Sequence, residues 1–176
     1  MGLTLKPKNC MLSMKTKNSI FNIIQLAREG DKLSWVRYIL FVHAFSGCDT
    51  TSHIFRIGKT KLTEDGYKDK LEEAKIFYDS EASKEAIADV GESIAVSLYR
   101  KNFKGNLNKL RFQQYSEMIA KNSSVTGSIR SLCASSKTFA FHAYRVFHQI
   151  QVWLGNDVNP KVWGWQVLNG MMVPIQ

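Results

Sequence analysis

The segment Gly47-Cys48-Asp49-Thr50-Thr51-Ser52 places a carboxylate two residues after a glycine and ahead of three hydroxyl side chains. Two kinds of chemistry suit that pattern. Asp49 or Thr50 could cap a following helix, an oxygen accepting backbone N–H groups that a first turn leaves without partners. Alternatively, Asp49 could hold a hard divalent cation, Mg²⁺ or Mn²⁺, through its carboxylate. The local residues favour the cap. A little further on, Arg56-Ile57-Gly58-Lys59-Thr60-Lys61 gathers three cations around a glycine turn. Backbone N–H groups at such a turn can accept a phosphate as the chain enters a helix, and the lysines add a salt-sensitive attraction. Arg56, Gly58, Lys59 and Lys61 are therefore candidates for contact with a DNA or RNA backbone. The plainer reading is a loop with solvated lysines. The Gly58-Lys59-Thr60 tripeptide is not a nucleotide P-loop, because that pattern requires a glycine where His53 stands. No nucleotide is expected as a partner.

The histidines offer less. His142 and His148 are six residues apart, so on one helix they point in different directions and cannot chelate one ion together. The zinc-protease pattern His-Glu-x-x-His is absent, and His43 falls on an apolar helix face. Core or rim positions suit all three better than ligand roles. The three cysteines, Cys10, Cys48 and Cys133, are scattered and form no Cys-x-x-Cys pair, which argues against a zinc knuckle or a disulfide framework. Trp153, Trp163 and Trp165 could stack on bases, but they lie beside the most apolar stretch, where packing is the better expectation.

The elements that must position these residues read as helices. Residues 1–17 are expected to be a poorly ordered basic lead-in, and residues 18–176 one helical domain. Ser19 suits an N-cap for a helix stopped by Gly30, and a second helix is expected from Asp31 to Phe45, broken by Gly47. Thr50 to Ile57 suits a short helix. Thr63 to Phe77 suits a charged one burying Tyr67, Leu71, Ala74 and Phe77. Ser83 opens a helix with Ile87, Val90, Ile94 and Leu98 at helical spacing, and Asn106 to Ala120 follows. A serine-rich loop at about 122–135 separates these from the most apolar helix, Ser135 to Leu154. Beyond Gly155, Asn169-Gly170 between short apolar runs signals a hairpin. The fold class expected is mainly α, one compact helical domain with a short C-terminal β-hairpin-like tail.

Several ordered motifs extend the first signature. His43-Ala44-Phe45-Ser46 precedes Gly47, and Ile57-Gly58-Lys59 follows. Ala74-Lys75-Ile76-Phe77, Asn108-Lys109-Leu110-Arg111-Phe112, Phe141-His142-Ala143-Tyr144-Arg145, Asn159-Pro160 and Trp163-Gly164-Trp165 come later in the chain. Over roughly residues 18–176 the chain resembles a group of uncharacterised animal proteins of mobile-element type. More distantly, the Gly-Cys-Asp segment with its Ile-Gly-Lys turn is similar to PIN-like, flap-endonuclease-related nucleases, where a metal-binding Asp precedes a DNA-gripping hairpin of helices. That likeness implies Asp49 as a catalytic and metal carboxylate on Mg²⁺ or Mn²⁺, with Gly58, Lys59 and Lys61 on phosphate. It also implies that the chain corresponds to a C-terminal portion of a PIN-like α/β nuclease. Two-metal hydrolysis needs several convergent carboxylates, and only Glu29 and Asp31 precede Asp49.

The totals fit this reading. A chain of 176 residues suits one domain, and a hydrophobic content of 44% is that of a globular protein. The longest apolar runs are far too short to cross a bilayer, and the start has no secretory pattern. The net charge of +9 is unevenly spread: +7 over residues 1–62, −5 over 63–100 and +7 over 101–176. Opposed faces are expected from such blocks, and the basic ones suit a phosphate backbone. The sequence thus leads to a nucleic-acid-associated fragment of a nuclease-related protein, not catalytic by itself, in the nucleus or cytoplasm. Its rivals are a metal-dependent nuclease completed by carboxylates from elsewhere, and a helical interaction module or decayed reading frame. The sequence assigns no oligomeric state.

Overall fold

The computed structural model describes residues 15–16, 19–20, 38–55, 57–121 and 131–175. The chain divides into two compact units, Met1–Arg37 and Tyr38–Gln176. In the first unit, β1 (Lys15–Thr16) and β2 (Ser19–Ile20) pair antiparallel, with Lys15 opposite Ile20 and Thr16 opposite Ser19. Ser19 therefore stands in a strand pair and does not cap a helix. The β-branched Thr16 and Ile20 suit a pleated ribbon better than a first helical turn. The remainder of the helix expected up to Gly30, the start of the one expected from Asp31, and the lead-in before Lys15 lie outside the described residues.

The second unit is mainly helical. Among the described residues its α-helices are α1 (Ile39–Phe45), α2 (Lys59–Leu62), α3 (Lys68–Glu73), α4 (Lys84–Tyr99), α5 (Leu107–Ala120) and α6 (Ser136–Leu154). A two-stranded hairpin, β3 (Trp165–Leu168) and β4 (Met171–Pro174), closes the chain. The three longest helices start as their sequences dictate. Ser83, Asn106 and Ser135 each sit in extended backbone and accept the amide N–H three residues on, from Ala86, Lys109 and Thr138. Gly155 ends α6 in the left-handed region, at φ 86°, which a glycine enters without steric cost.

The charged stretch expected as one helix over Thr63–Phe77 is broken into pieces. A 3₁₀ turn at Asp65–Tyr67 leads into α3, and a second one at Ala74–Tyr78 follows it. Gly66 weakens the helix at the first break. The burial still follows the expected pattern: Tyr67, Leu71, Ala74 and Phe77 all point inward.

Helix α6 is the centre of the core, with α4, α1 and the 74–78 turn packed around it. Phe139, Ala143, Val146, Phe147 and Ile150 are buried on it. Phe41 lies between Phe45 and Phe77, with ring centroids 4.7 and 4.9 Å away. Helices α4 and α6 come closest at Gly91, where an added Cβ would stand 2.7 Å from the Ala143 methyl. Polar clamps fix the ends. Glu92 Oε1 accepts the Leu107 N–H at 2.8 Å and the Ser136 hydroxyl at 2.5 Å, joining α4 to the first turns of α5 and α6. The buried Gln151 donates to Phe77 O at 3.0 Å and accepts from Asn156 at 2.6 Å, so its burial leaves its amide satisfied.

The hairpin has Trp165 opposite Pro174 and Leu168 opposite Met171. Asn169 and Gly170 both have positive φ, 51° and 76°, as a two-residue turn between right-twisted strands requires. Among the described residues no helix is long and apolar enough to cross a membrane.

Candidate functional site

The Gly47–Ser52 signature lies directly after α1, and its geometry follows from how that helix ends. Ser46 completes the last turn, and Gly47 then swings to φ 108°. An L side chain is strained there, and a Cβ would also stand 2.5 Å from His53 Nδ1, so position 47 needs glycine on two counts. Cys48 and Thr51 exchange backbone hydrogen bonds, 3.1 Å and 3.3 Å, in a tight reversal. Asp49 and Thr50 form its exposed tip.

Ser46, Thr51 and two histidines serve carbonyls at the end of α1. Ser46 Oγ donates to Val42 O at 2.6 Å, and Thr51 Oγ1 donates to Ala44 O at 2.6 Å. His142 Nε2 bonds Phe45 O and His53 Nδ1 bonds Ser46 O, each at 3.0 Å. Thr51 Oγ1 also accepts the Cys48 N–H at 3.1 Å. Thr50 Oγ1 donates to Gln149 Oε1 at 2.5 Å, tying the tip to α6. A helix leaves its last four carbonyls without internal partners, and here side chains of the signature and of α6 satisfy them. The arrangement is a C-terminal clasp.

This corrects two expectations. Asp49 and Thr50 cap no following helix, and the described residues of the 50–57 stretch are not helical. The backbone pairing at Thr51 and the bond from its hydroxyl to Ala44 O turn the signature back onto α1. The sulfur of Cys48 lies 3.3 Å from Thr50 Oγ1 and 3.2 Å from Thr51 Oγ1. Partial burial pushes its thiol pKa up, but the hydrogen bonds from Thr50 and Thr51 outweigh it, and the thiol sits below its ordinary value.

For a metal, the fit is poor. Among the described residues no three of His, Cys, Asp and Glu stand close enough together to hold an ion. Asp49 is an isolated, exposed carboxylate, whereas a two-metal site needs several oxygens converging on ions about 3.5–4 Å apart. Glu29 and Asp31, the other acids expected to contribute, lie outside the described residues.

The basic turn stands beside the clasp. Ile57 and Leu62 are buried and anchor it. Gly58 is extended, with φ −84° and ψ 164°, and precedes the single turn of α2. Its backbone is open to any residue, so nothing in its conformation demands glycine. Lys61 is half-exposed. Arg56 and the side chain of Lys59 lie outside the described residues.

The chain was compared with protein-family models, curated proteins and solved structures. Nothing matches.

Two of the aromatic candidates have ring partners within the fold, and only Trp163 is buried. Trp163 packs on Phe147 with centroids 4.1 Å apart, and Trp153 stacks on His43 at 5.5 Å with the rings 4° from parallel. Burial holds the His142 pKa down at about 4, as expected for a core histidine, and it lowers that of His148 as well. The sequence reading missed Gln149, His53 and Arg145. Gln149 lies seven residues after His142 on α6, two helical turns along one face, and that spacing was the available signal. His53 had none, because its partner is a backbone carbonyl.

Proposed function

We propose that this chain is a non-catalytic helical module of mobile-element type that associates with nucleic-acid backbone. The Gly47–Ser52 signature serves the fold, and phosphate contact falls to the Arg56–Lys61 turn beside it. One observation carries the non-catalytic part. Within the signature Thr51 closes the end of α1 and Thr50 fastens the turn to α6, His142 and His53 bond the Phe45 and Ser46 carbonyls, and Asp49 stands exposed, in no group of three metal-ligating side chains among the described residues. The phosphate part is supported by charge: Arg56, Lys59 and Lys61 are the only charged residues between Asp49 and Glu64. Such a cluster attracts phosphates by counterion release without reading sequence. The three scattered cysteines suit an intracellular setting, nuclear or cytoplasmic.

Fluorescence anisotropy with labelled single- and double-stranded DNA and with RNA tests this reading. The double substitution Lys59→Glu/Lys61→Glu is expected to weaken binding by roughly tenfold or more at low salt, and unchanged binding would overturn it. Incubation of the same substrates with Mg²⁺ or Mn²⁺ tests the nuclease reading. Cleavage that disappears in Asp49→Ala would restore a catalytic role to that carboxylate.

A further inference from the structure

Behind the stretch that leaves the clasp lies a cavity of about 280 Å³, lined by Ile54, Phe55, Leu132, Phe139, His142 and Arg145, among others. Its walls are largely apolar, yet it contains a guanidinium. Arg145 is 7% exposed. Its Nη1 donates to Ile175 O at 3.0 Å and more weakly to Gly164 O at 3.5 Å. These bonds fasten the C-terminal hairpin to α6, but they use only one of the three nitrogens. The five N–H groups of an arginine form a planar fork, and among the described residues Nε and Nη2 bond none.

No carboxylate among the described residues pairs with this charge. The only influence on the Arg145 pKa is burial, which lowers it, with no acidic neighbour acting in the opposite sense. The other titratable groups on the wall supply no negative charge, and one of them, His53, directs Nδ1 to Ser46 O. His142 is neutral at physiological pH, its pKa held near 4 by burial, and it directs Nε2 to Phe45 O. The Tyr99 hydroxyl is pushed up to about 12, chiefly by burial, and so keeps its proton. Guanidinium stays charged in proteins, and a charge removed from water is ordinarily matched by a counter-charge.

We infer that this cavity binds a small organic carboxylate, its two oxygens on the free edge of Arg145 and its apolar body against Ile54, Leu132 and Phe139. A carboxylate matches the fork bidentately. Its single negative charge balances the single positive one, whereas a phosphate dianion would leave excess charge in an apolar enclosure. The volume accommodates a ring or a short alkyl chain.

Thermal melting of the whole chain tests this with benzoate and hexanoate, and with benzamide and inorganic phosphate as controls. At least one carboxylate is expected to raise Tm saturably, while benzamide and phosphate at equal concentration do not. Arg145→Gln would also loosen the hairpin, so the informative variant is Ala134→Trp. It fills the cavity from a half-exposed wall position and is expected to abolish the carboxylate shift. The inference is overturned if neither carboxylate shifts Tm, if benzamide matches benzoate, or if Ala134→Trp leaves the shift intact. None of these outcomes depends on nucleic-acid binding, because Lys59 and Lys61 do not line the cavity.

Discussion

Thr51 donates its hydroxyl proton to Ala44 O and accepts the Cys48 N–H on the same oxygen, while its neighbour Asp49 reaches into solvent. The two residues should therefore behave in opposite ways. Thr51→Val keeps the shape but removes one of the two hydrogen bonds at Ala44 O and one of the two at the Cys48 N–H, each keeping its backbone partner, and should cost about 0.5–1.5 kcal/mol in denaturant unfolding. Asp49→Ala should change stability by less than about 0.5 kcal/mol, as an exposed residue with no structural partner does. A large loss at Asp49 would mean that the turn depends on its carboxylate after all. His142 supplies a pH test. Its folded pKa, about 4, lies below the ordinary 6.5, so between those values the unfolded chain takes up the proton and the folded one does not. The stabilisation is complete above pH 6.5 and falls as pH drops towards 4, by up to about 1.4 kcal/mol per pH unit. Unfolding measured from pH 7 to 5, where most carboxylates remain ionised, should show this slope, and His142→Gln should flatten it. At this scale the sequence was legible only in part. His142 reads as a core histidine from its apolar neighbours, but an acid next to a helix-breaking glycine looks the same whether its hydroxyl neighbours bind forward to a new helix or back to the old one. Residues far away in sequence, such as Gln149, decide which.

Helices α4 and α6 are in contact because Gly91 offers no side chain to Ala143. Gly91→Ala would bring two methyl carbons to 2.7 Å, with Phe77 and Phe139 closing the other sides at 3.6 and 3.8 Å. Alanine gains about 1 kcal/mol of helix propensity over glycine, but overpacking a close-packed core costs about 1–3 kcal/mol, so the net effect should be destabilising. Adding Ala143→Gly returns the space, and the double variant should recover part of the loss in thermal melts. If Gly91→Ala instead raised Tm, the helices would have room to separate at that point. Elements whose caps are local were legible from sequence: Ser83, Asn106, Ser135 and Gly155 all mark the ends they were expected to mark. The hairpin at Asn169-Gly170 was legible for the same reason. Elements defined by distant partners were not. Ser19 looks like an N-cap until its neighbour pairs as a strand, and Thr63–Phe77 carries a continuous apolar stripe although its backbone breaks twice.

Across the whole chain, the acidic block at 63–100 and the basic one at 101–176 suggest opposed faces, but the fold partly intermixes them. Asp69, Asp89 and Glu92 line the same open groove as Lys70, Lys101 and Lys104, and Lys70 bonds Glu73 and Ser93. Charges of opposite sign within a Debye length, about 8 Å at physiological ionic strength, largely cancel at a distance. Lys101 and Lys104 thus share their groove with acids, while the Arg56–Lys61 turn gathers three cations in six residues, its nearest acids in sequence being Glu64 and Asp65, three and four residues beyond Lys61. A comparison of equal charge changes separates a specific phosphate contact from general attraction to a basic protein. Lys59→Glu/Lys61→Glu and Lys101→Glu/Lys104→Glu each lower the net charge by the same amount. If the turn is the contact, only the first pair should weaken DNA binding strongly and reduce the slope of log affinity against log salt by about 2, one for each lost phosphate contact. Equal losses from both pairs would mean that net charge alone draws the chain to nucleic acid, and that the turn has no particular place in it.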